Sequence, residues 1–236
     1  GSGQLSGLPT QVGSFPIAIT ATDANGQTGS TNVTITVNPP TLTMTPAAGA
    51  LTAPYAVAYS QAFTASGGAN SFNYALSGTL PAGLSFNAGT ATISGTPTAP
   101  GSYPITVTAT DTVLTGTGAP FSITQDYVIN VPAPTIVVNP ATLPNTTAGD
   151  GYAGFLSTTG GVAPYTYAVT AGSLPTGLAL DPSSGLISAR TTGSGTFNFT
   201  VTATDANGQT GNRAYTVVVA VPTIALTPAT LPGGTA

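Results

Sequence analysis

The chain repeats itself along its length. The ten residues 20–29 (Thr-Ala-Thr-Asp-Ala-Asn-Gly-Gln-Thr-Gly) recur unchanged at 202–211, an offset of 182 residues. Their first four residues also occur at 108–111, so the repeating unit is about 91 residues long. Self-similarity at a fixed period is typical of tandem arrays in which each copy forms one structural unit. We therefore expect several small, similar domains joined end to end.

Prolines mark the boundaries of these domains. Matching segments begin at Pro40, Pro134 and Pro222, which are 94 and 88 residues apart. Because proline fixes φ and these linkers are short, we expect stiff connections. The predicted pieces are the C-terminal half of a repeat at 1–38, complete repeats at 39–131 and 132–221, and the first strand of a further repeat at 222–236.

Apolar residues alternate with polar ones in the second half of every repeat. In the first copy they are Phe15, Ile17, Ile19 and Ala21, followed by Val33, Ile35 and Val37. Period-2 alternation predicts strands with one buried face, and the Asn-Gly between the two runs suits a hairpin turn. About seven such strands fit in 90 residues, which predicts an all-β fold of tandem immunoglobulin-like antiparallel β-sandwich repeats.

The composition excludes several classes of function. Charged residues make up 3% of the chain, whose only cations are Arg190 and Arg213, and His, Cys, Lys and Glu are absent. Nucleic acid binding requires clustered cations, and a membrane span requires about 20 apolar residues, so neither is expected. Catalysis requires a tunable acid, base or nucleophile, so we expect no enzyme and no catalytic residues.

Three motifs carry a family resemblance. Leu-Pro-x-Gly-Leu at 80–84 and 174–178 is followed by Ile-Ser at 93–94 and 187–188, and then by Thr-Val-Thr-Ala-Thr-Asp ending at Asp111 and Asp205. This pattern resembles the He-PIG immunoglobulin-like repeats of bacterial surface proteins, which are similar to cadherin-like modules. The resemblance implies an extracellular location at a bacterial cell surface and membership of an adhesin stalk.

One aspartate recurs at the same position of each copy. Asp23, Asp111 and Asp205 all follow the first strand of the hairpin. Cadherin-like modules bind calcium, so these residues are weak candidates for a metal site. Calcium prefers several carboxylates, however, and each copy offers one. The favoured interpretation is that each aspartate caps its own turn, with no metal and no cofactor.

The middle repeat carries a six-residue insertion. Tyr127 lies 16 residues after Asp111, whereas the equivalent Tyr215 lies ten residues after Asp205. The insertion adds Val113, Leu114 and Phe121 to the loop at 112–126. Loops on rigid scaffolds often carry recognition, so this loop is a candidate contact site. Alternatively, its apolar residues pack back on the sandwich.

Two functions fit these observations. The first is a structural stalk or fibre-forming segment of a bacterial adhesin, which associates with neighbouring copies because its strand edges lack the charges that normally block pairing. The second is a module that binds a glycan or a host protein through the insertion or a calcium-stiffened junction. An accessory domain of an enzyme encoded elsewhere in the parent protein is a third interpretation.

Overall fold

The computed structural model describes residues 3–225 of a chain that divides into two compact units, Gly1–Pro132 and Ala133–Ala236. The first unit contains the half repeat and the first complete repeat, and the second contains the other complete repeat. Most of the predicted strand at 222–236 lies outside the described residues. Residues 3–225 include no helix long and apolar enough to cross a membrane.

The regular elements of the described chain are all strands, which confirms the predicted class. Those of the first unit are β1 (Gln11–Thr22), β2 (Thr28–Val37), β3 (Thr43–Thr45), β4 (Gly49–Thr52), β5 (Tyr59–Ala62), β6 (Thr64–Ser66), β7 (Phe72–Gly78), β8 (Leu84–Asn87), β9 (Thr92–Gly95), β10 (Gly101–Asp111), β11 (Thr115–Gly116) and β12 (Ser122–Val131). Those of the second unit are β13 (Val137–Asn139), β14 (Thr146–Thr147), β15 (Gly151–Phe155), β16 (Ser157–Thr159), β17 (Thr166–Gly172), β18 (Ala179–Leu180), β19 (Leu186–Arg190), β20 (Gly195–Thr204) and β21 (Thr210–Ala220).

The predicted hairpins form in all three copies. β1 pairs antiparallel with β2, β10 with β12, and β20 with β21. Along β10, Ile105, Val107 and Ala109 are at most 3% exposed, whereas the threonines between them are half-buried. The period-2 pattern therefore puts one face of the hairpin against a core, as the sequence predicts.

Each complete repeat is a sandwich of two main sheets. The first repeat has the strand orders β4-β12-β10-β7 and β5-β9-β8, and the second has β14-β21-β20-β17 and β15-β19-β18. Side chains from both sheets share one core in each repeat, exemplified by Val107 with Ile93 and by Val201 with Ile187. Burial of these apolar faces is the main force that holds each sandwich together.

The sheets are not wholly antiparallel. β4 runs parallel to β12, and β14 runs parallel to β21. In each repeat the opening segment first pairs antiparallel, β3 with β6 and β13 with β16, and then crosses to the other sheet. Pro46 and Pro140 lie at these crossings, where proline has no N–H to continue the first ladder. The opening strand is thus split in two, which the alternation pattern did not predict.

The half repeat is an open hairpin. Ile19 is 49% exposed and Val33 is 42% exposed, whereas the equivalent Val107 and Tyr127 of the complete repeat are 0% and 1% exposed. β2 forms one edge of its sheet, and the other edge of β1 pairs with β11 of the insertion. The half repeat is therefore connected to the first complete repeat in two ways, by the pairing of β1 with β11 and by the polypeptide chain itself.

Candidate functional site

The recurring aspartates all lie at the turn of a hairpin, and Asp111 is held by three backbone donors. Its Oδ1 accepts hydrogen bonds from the N–H groups of Val113 at 2.8 Å and Leu114 at 2.9 Å, and its Oδ2 accepts one from Ala69 at 2.8 Å. Two of these donors belong to the hairpin loop, and the third belongs to the loop between β6 and β7. The carboxylate therefore ties two loops of the repeat together.

Asp205 repeats this arrangement in the second complete repeat. Its Oδ1 accepts hydrogen bonds from the N–H groups of Asn207 at 2.9 Å and Gln209 at 2.8 Å, and its Oδ2 accepts one from Val162 at 3.0 Å. Asp111 and Asp205 are 4% and 5% exposed. Because an ionisable group is buried at the equivalent position of both repeats, we infer that this link has a structural role in each of them.

A pair of glycines makes the link between the two loops possible. A Cβ on Gly68 would lie 2.3 Å from Oδ2 of Asp111, and one on Gly161 would lie 2.8 Å from Oδ2 of Asp205. Their φ angles of +59° and +70° also favour glycine. The sequence contained a signal for this contact, because Gly-Gly recurs at 67–68 and 160–161. The pairing of these glycines with the aspartate was not predicted, because the aspartate lies more than 40 residues away in the chain.

Asp23 has a simpler environment. Its Oδ1 accepts hydrogen bonds from the N–H groups of Asn25 at 2.8 Å and Gln27 at 2.9 Å, and the residue is exposed. Its turn has the same sequence as the turn that follows Asp205. Asp23 therefore caps its own turn, in the manner of an Asx turn.

The hydrogen bonds of Asp111 also decide its charge state. Burial of the carboxyl group favours the neutral form, but the N–H donors of Leu114, Ala69 and Val113 outweigh it and lower the pKa of Asp111. The group is therefore ionised at neutral pH, with its negative charge stabilised by backbone dipoles. A carboxylate held in this way has no proton to donate and a reduced capacity to accept one.

The three aspartates do not fit a calcium site. Calcium takes six to eight oxygen ligands, usually including several carboxylates. Within residues 3–225, no group of three or more Asp, Glu, His or Cys side chains lies close enough to hold a metal ion. The oxygens of Asp111 and Asp205 instead accept backbone N–H groups, which occupy the positions that a cation would need.

The cations of the chain are also engaged with backbone. Arg190 donates to the carbonyl of Gly149, and Arg213 donates to the carbonyl of Val138. Both arginines are therefore bonded within their own repeat. They form no cationic patch for an anionic ligand.

The three apolar residues of the insertion have different environments. Phe121 is buried at 9% exposure, Leu114 is half-buried, and Val113 is 42% exposed. Cavities of about 340 and 320 Å³ flank the insertion. The first is lined by Leu8, Pro9, Thr10, Gly68, Ala69, Asn70 and Leu114, and the second by Pro40, Leu42, Gly118, Pro120, Phe121, Ser122 and Ile123. Neither lining includes a titratable side chain, so neither cavity supports acid–base chemistry.

Comparison with solved structures gives weak likenesses. The "putative alpha-galactosidase" BF1418 of Bacteroides fragilis is 26% identical over 36% of this chain and 17% of its own, with a TM-score of 0.31. The protocadherin GammaB4 extracellular domain is 16% identical over 88% of this chain and 39% of its own, with a TM-score of 0.33. Mouse cadherin-23 EC22-24 is 18% identical over 89% of this chain and 74% of its own, with a TM-score of 0.34. The chain thus spans well under two thirds of the first two proteins, and these scores carry no argument about function.

Comparison with protein families is more informative. Among curated proteins, none matches the chain. The He_PIG family, described as "Putative Ig domain", matches residues 39–131 and 134–220. These two matches cover most of the chain and coincide with the two complete sandwiches. Domains of this immunoglobulin-like type are typically extracellular and non-catalytic, and they suggest an adhesion-type module. The chain therefore belongs to the He_PIG family of immunoglobulin-like domains.

Proposed function

We propose that this chain is a structural spacer, a stalk or fibre segment of an extracellular bacterial adhesin that carries no catalytic site. The observation that supports this most directly is that both complete repeats share two internal polar links, one made by an aspartate and one by a tyrosine. Asp111 and Asp205 join equivalent loops. Tyr127 and Tyr215 donate their hydroxyl hydrogens to the carbonyls of Pro46 and Pro140, at 2.7 and 2.8 Å.

These links are what a spacer requires. Each joins segments that are far apart in sequence, about 40 residues for the aspartates and about 80 for the tyrosines, and thereby resists separation of strand ends. A domain that has the same links in both of its complete copies is suited to bearing load or setting distance.

The insertion offers little support for a ligand-binding alternative. Glycan and protein recognition commonly uses exposed aromatic anchors. The aromatic residue of the insertion, Phe121, is buried, and Val113 is the exposed member of the three apolar residues. We therefore favour the spacer function over recognition by this loop.

The experiment that tests the spacer function has two arms. In the first, an epitope is displayed on bacterial cells through one or two copies of the whole chain, and its capture by antibody-coated beads is measured on encapsulated cells. A spacer predicts greater capture with two copies. In the second arm, the isolated chain is tested for binding to immobilised glycans and to matrix proteins such as collagen and fibronectin. Saturable binding that is lost in Val113→Ser would overturn the proposal in favour of a binding module.

A further inference from the structure

The insertion leaves the base of its hairpin unchanged. In the second complete repeat, the N–H of Asp205 donates to the carbonyl of Gln209 at 2.8 Å and closes a short turn. In the first, the N–H of Asp111 donates to the carbonyl of Phe121 at 2.8 Å and closes a longer loop in the same way. The extra residues therefore project from an ordinary hairpin base, and the core of the repeat does not depend on them for its geometry.

The projecting residues pair with the preceding repeat. The N–H of Thr115 donates to the carbonyl of Thr10 at 3.0 Å, and the N–H of Thr117 donates to the carbonyl of Val12 at 3.2 Å. These bonds place β11 parallel to the beginning of β1, with Thr115 opposite Gln11. The insertion thus adds a strand to the edge of the half-repeat hairpin.

Two features show that this contact is closely fitted. Val12 is 5% exposed and is the one fully buried residue among residues 3–38. Gly116 has a φ of +99°, and a Cβ at this position would lie 2.1 Å from the carbonyl oxygen of Val12. Only glycine allows the two backbones to approach this closely.

The hydrogen bonds of Asp111 also support the contact between the insertion and residues 8–12. Leu114, whose N–H is bound by Asp111, lies beside Gly68 together with Leu42. The cavity next to it is lined on one side by residues 8–10 and on the other by residues 68–70 and Leu114. Residues 8–12 of the preceding repeat therefore lie against two loops that the carboxylate of Asp111 holds in place.

We propose that the insertion is an inter-repeat clasp whose partner is residues 8–12 of the preceding repeat, and that it fixes the orientation of these two consecutive repeats. The inference deepens the proposed spacer function, on which its biological meaning rests. It implies that the length of this hairpin loop determines which junctions of the array are stiff. The second complete repeat has the short turn at 205–209 and so lacks residues for a clasp of this kind.

The clasp can be tested by measuring distances within the first unit. Because the chain has no cysteine, spin labels can be placed at Thr28→Cys in the half repeat and at Thr90→Cys in the complete repeat, both of which are exposed positions. Pulsed electron paramagnetic resonance then gives the distribution of distances between them in the whole chain. We expect a narrow distribution in the parent and a distribution at least twofold broader when the clasp is removed.

Two variants remove the clasp by different routes. Gly116→Val prevents the close backbone approach to Val12. In the second variant, residues 112–121 are replaced by Ala-Asn-Gly-Gln, which is the turn that follows Asp205. Val113→Ser is the matched control, since this exposed side chain lies in the same loop, and it should leave the distribution unchanged. Slow amide exchange along β10 and β12 shows whether each variant keeps its sandwich.

The outcomes separate the clasp from the spacer function. A parent distribution as broad as that of the two variants would overturn the clasp, as would a narrow distribution that survives the loop replacement. Amide exchange gives a second readout, because the N–H groups of Thr115 and Thr117 should exchange at least about tenfold more slowly in the parent than in the Gly116→Val variant. Saturable ligand binding would reject the spacer function while leaving the distances, and hence the clasp, intact.

Discussion

Replacement of Asp111 by asparagine should destabilise the first complete repeat specifically. Asparagine has the same shape as aspartate, and its one carbonyl oxygen can still accept the N–H groups of Val113 and Leu114. Its amide nitrogen must then face the N–H of Ala69, from which the carboxylate of the parent accepts a hydrogen bond of 2.8 Å. Two donors would oppose each other at a buried position, and the charge that strengthens all three bonds would be lost.

The magnitude follows from these contacts. A hydrogen bond to a charged group contributes about 1.5–3 kcal/mol, and we take about 2 kcal/mol for the net loss because asparagine keeps the bonds from Val113 and Leu114 and loses the one from Ala69. A loss of that size increases the unfolded fraction of the repeat about 30-fold. Amides that exchange only by unfolding of the repeat should therefore exchange about 30-fold faster.

Hydrogen exchange followed residue by residue is the appropriate assay. The strands β10 and β12 report on the repeat that contains Asp111, whereas β20 and β21 of the other unit serve as an internal reference that should not change. Asp23→Asn is the matched control. Both bonds of Asp23 go to a single oxygen of an exposed side chain, so asparagine can keep them, and we expect an effect within about 0.5 kcal/mol.

Exchange rates of β10 and β12 that stay at parent values in Asp111→Asn would refute the argument that this carboxylate joins two loops. Equal acceleration in both units would refute it as well. In that case the substitution would act on the chain as a whole, and the local contacts of Asp111 would have no special role.

Four further predictions concern pH, packing, metal and assembly. Folding lowers the pKa of Asp111, so the stability that this carboxylate contributes is fully present above its unfolded pKa of about 4 and is lost as the pH falls through the folded value. Acid titration of unfolding should show this loss of stability in the parent and a smaller loss in Asp111→Asn. Gly161→Ala combines a φ of +70° with a Cβ 2.8 Å from Oδ2 of Asp205, and it should lower the free energy of unfolding of the second unit by about 1–3 kcal/mol in urea titrations. Gly208→Ala, whose Cβ would meet nothing within 4 Å, has only the cost of its φ of +81° and should lower that free energy by about 1 kcal/mol. Millimolar calcium followed by EDTA should leave the melting temperature unchanged, and a rise of several degrees with calcium would contradict the capping role of the aspartates. Light scattering should show a mass that increases with protein concentration, and Thr34→Lys on the exposed edge strand β2 should reduce this increase; a constant monomer mass would reject self-association.

Local sequence was sufficient to predict the hairpins and the fold class. Alternation from Ile105 to Ala109 and the Asn-Gly turns at 25–26 and 207–208 are properties of a few neighbouring residues, and the structure confirms both. The parallel pairing of β4 with β12 was not predictable in this way. It joins segments almost 80 residues apart, and proline at position 46 signals only that the first ladder ends.

The contacts of the candidate site were predictable to a lesser extent. The recurrence of Asp111 and Asp205 identified the position, and their short-range bonds to the following turn agree with a capping residue. Their second oxygen bonds a loop more than 40 residues away, and Thr115 bonds a residue 105 positions away. The recurring Gly-Gly at 67–68 and 160–161 indicates a close approach in each repeat, but it does not identify the partners, because these are backbone N–H groups that every residue except proline carries.

That use of backbone partners explains how the repeats can diverge and still be built in the same way. The donor to Oδ2 is Ala69 in one repeat and Val162 in the other, and the donors to Oδ1 likewise come from Val113 and Leu114 or from Asn207 and Gln209. Since each link depends on one side chain only, substitution of the partner residue by anything except proline preserves the donor. In a chain with 3% charged residues and no cysteine, such links replace salt bridges and disulfides, both of which require two side chains to be kept together. The insertion could therefore arise between Asp111 and β12 without loss of the aspartate link, because N–H groups of the longer loop donate to the same carboxylate. The residues that follow them, Thr115 to Thr117, are then free to pair with the preceding repeat.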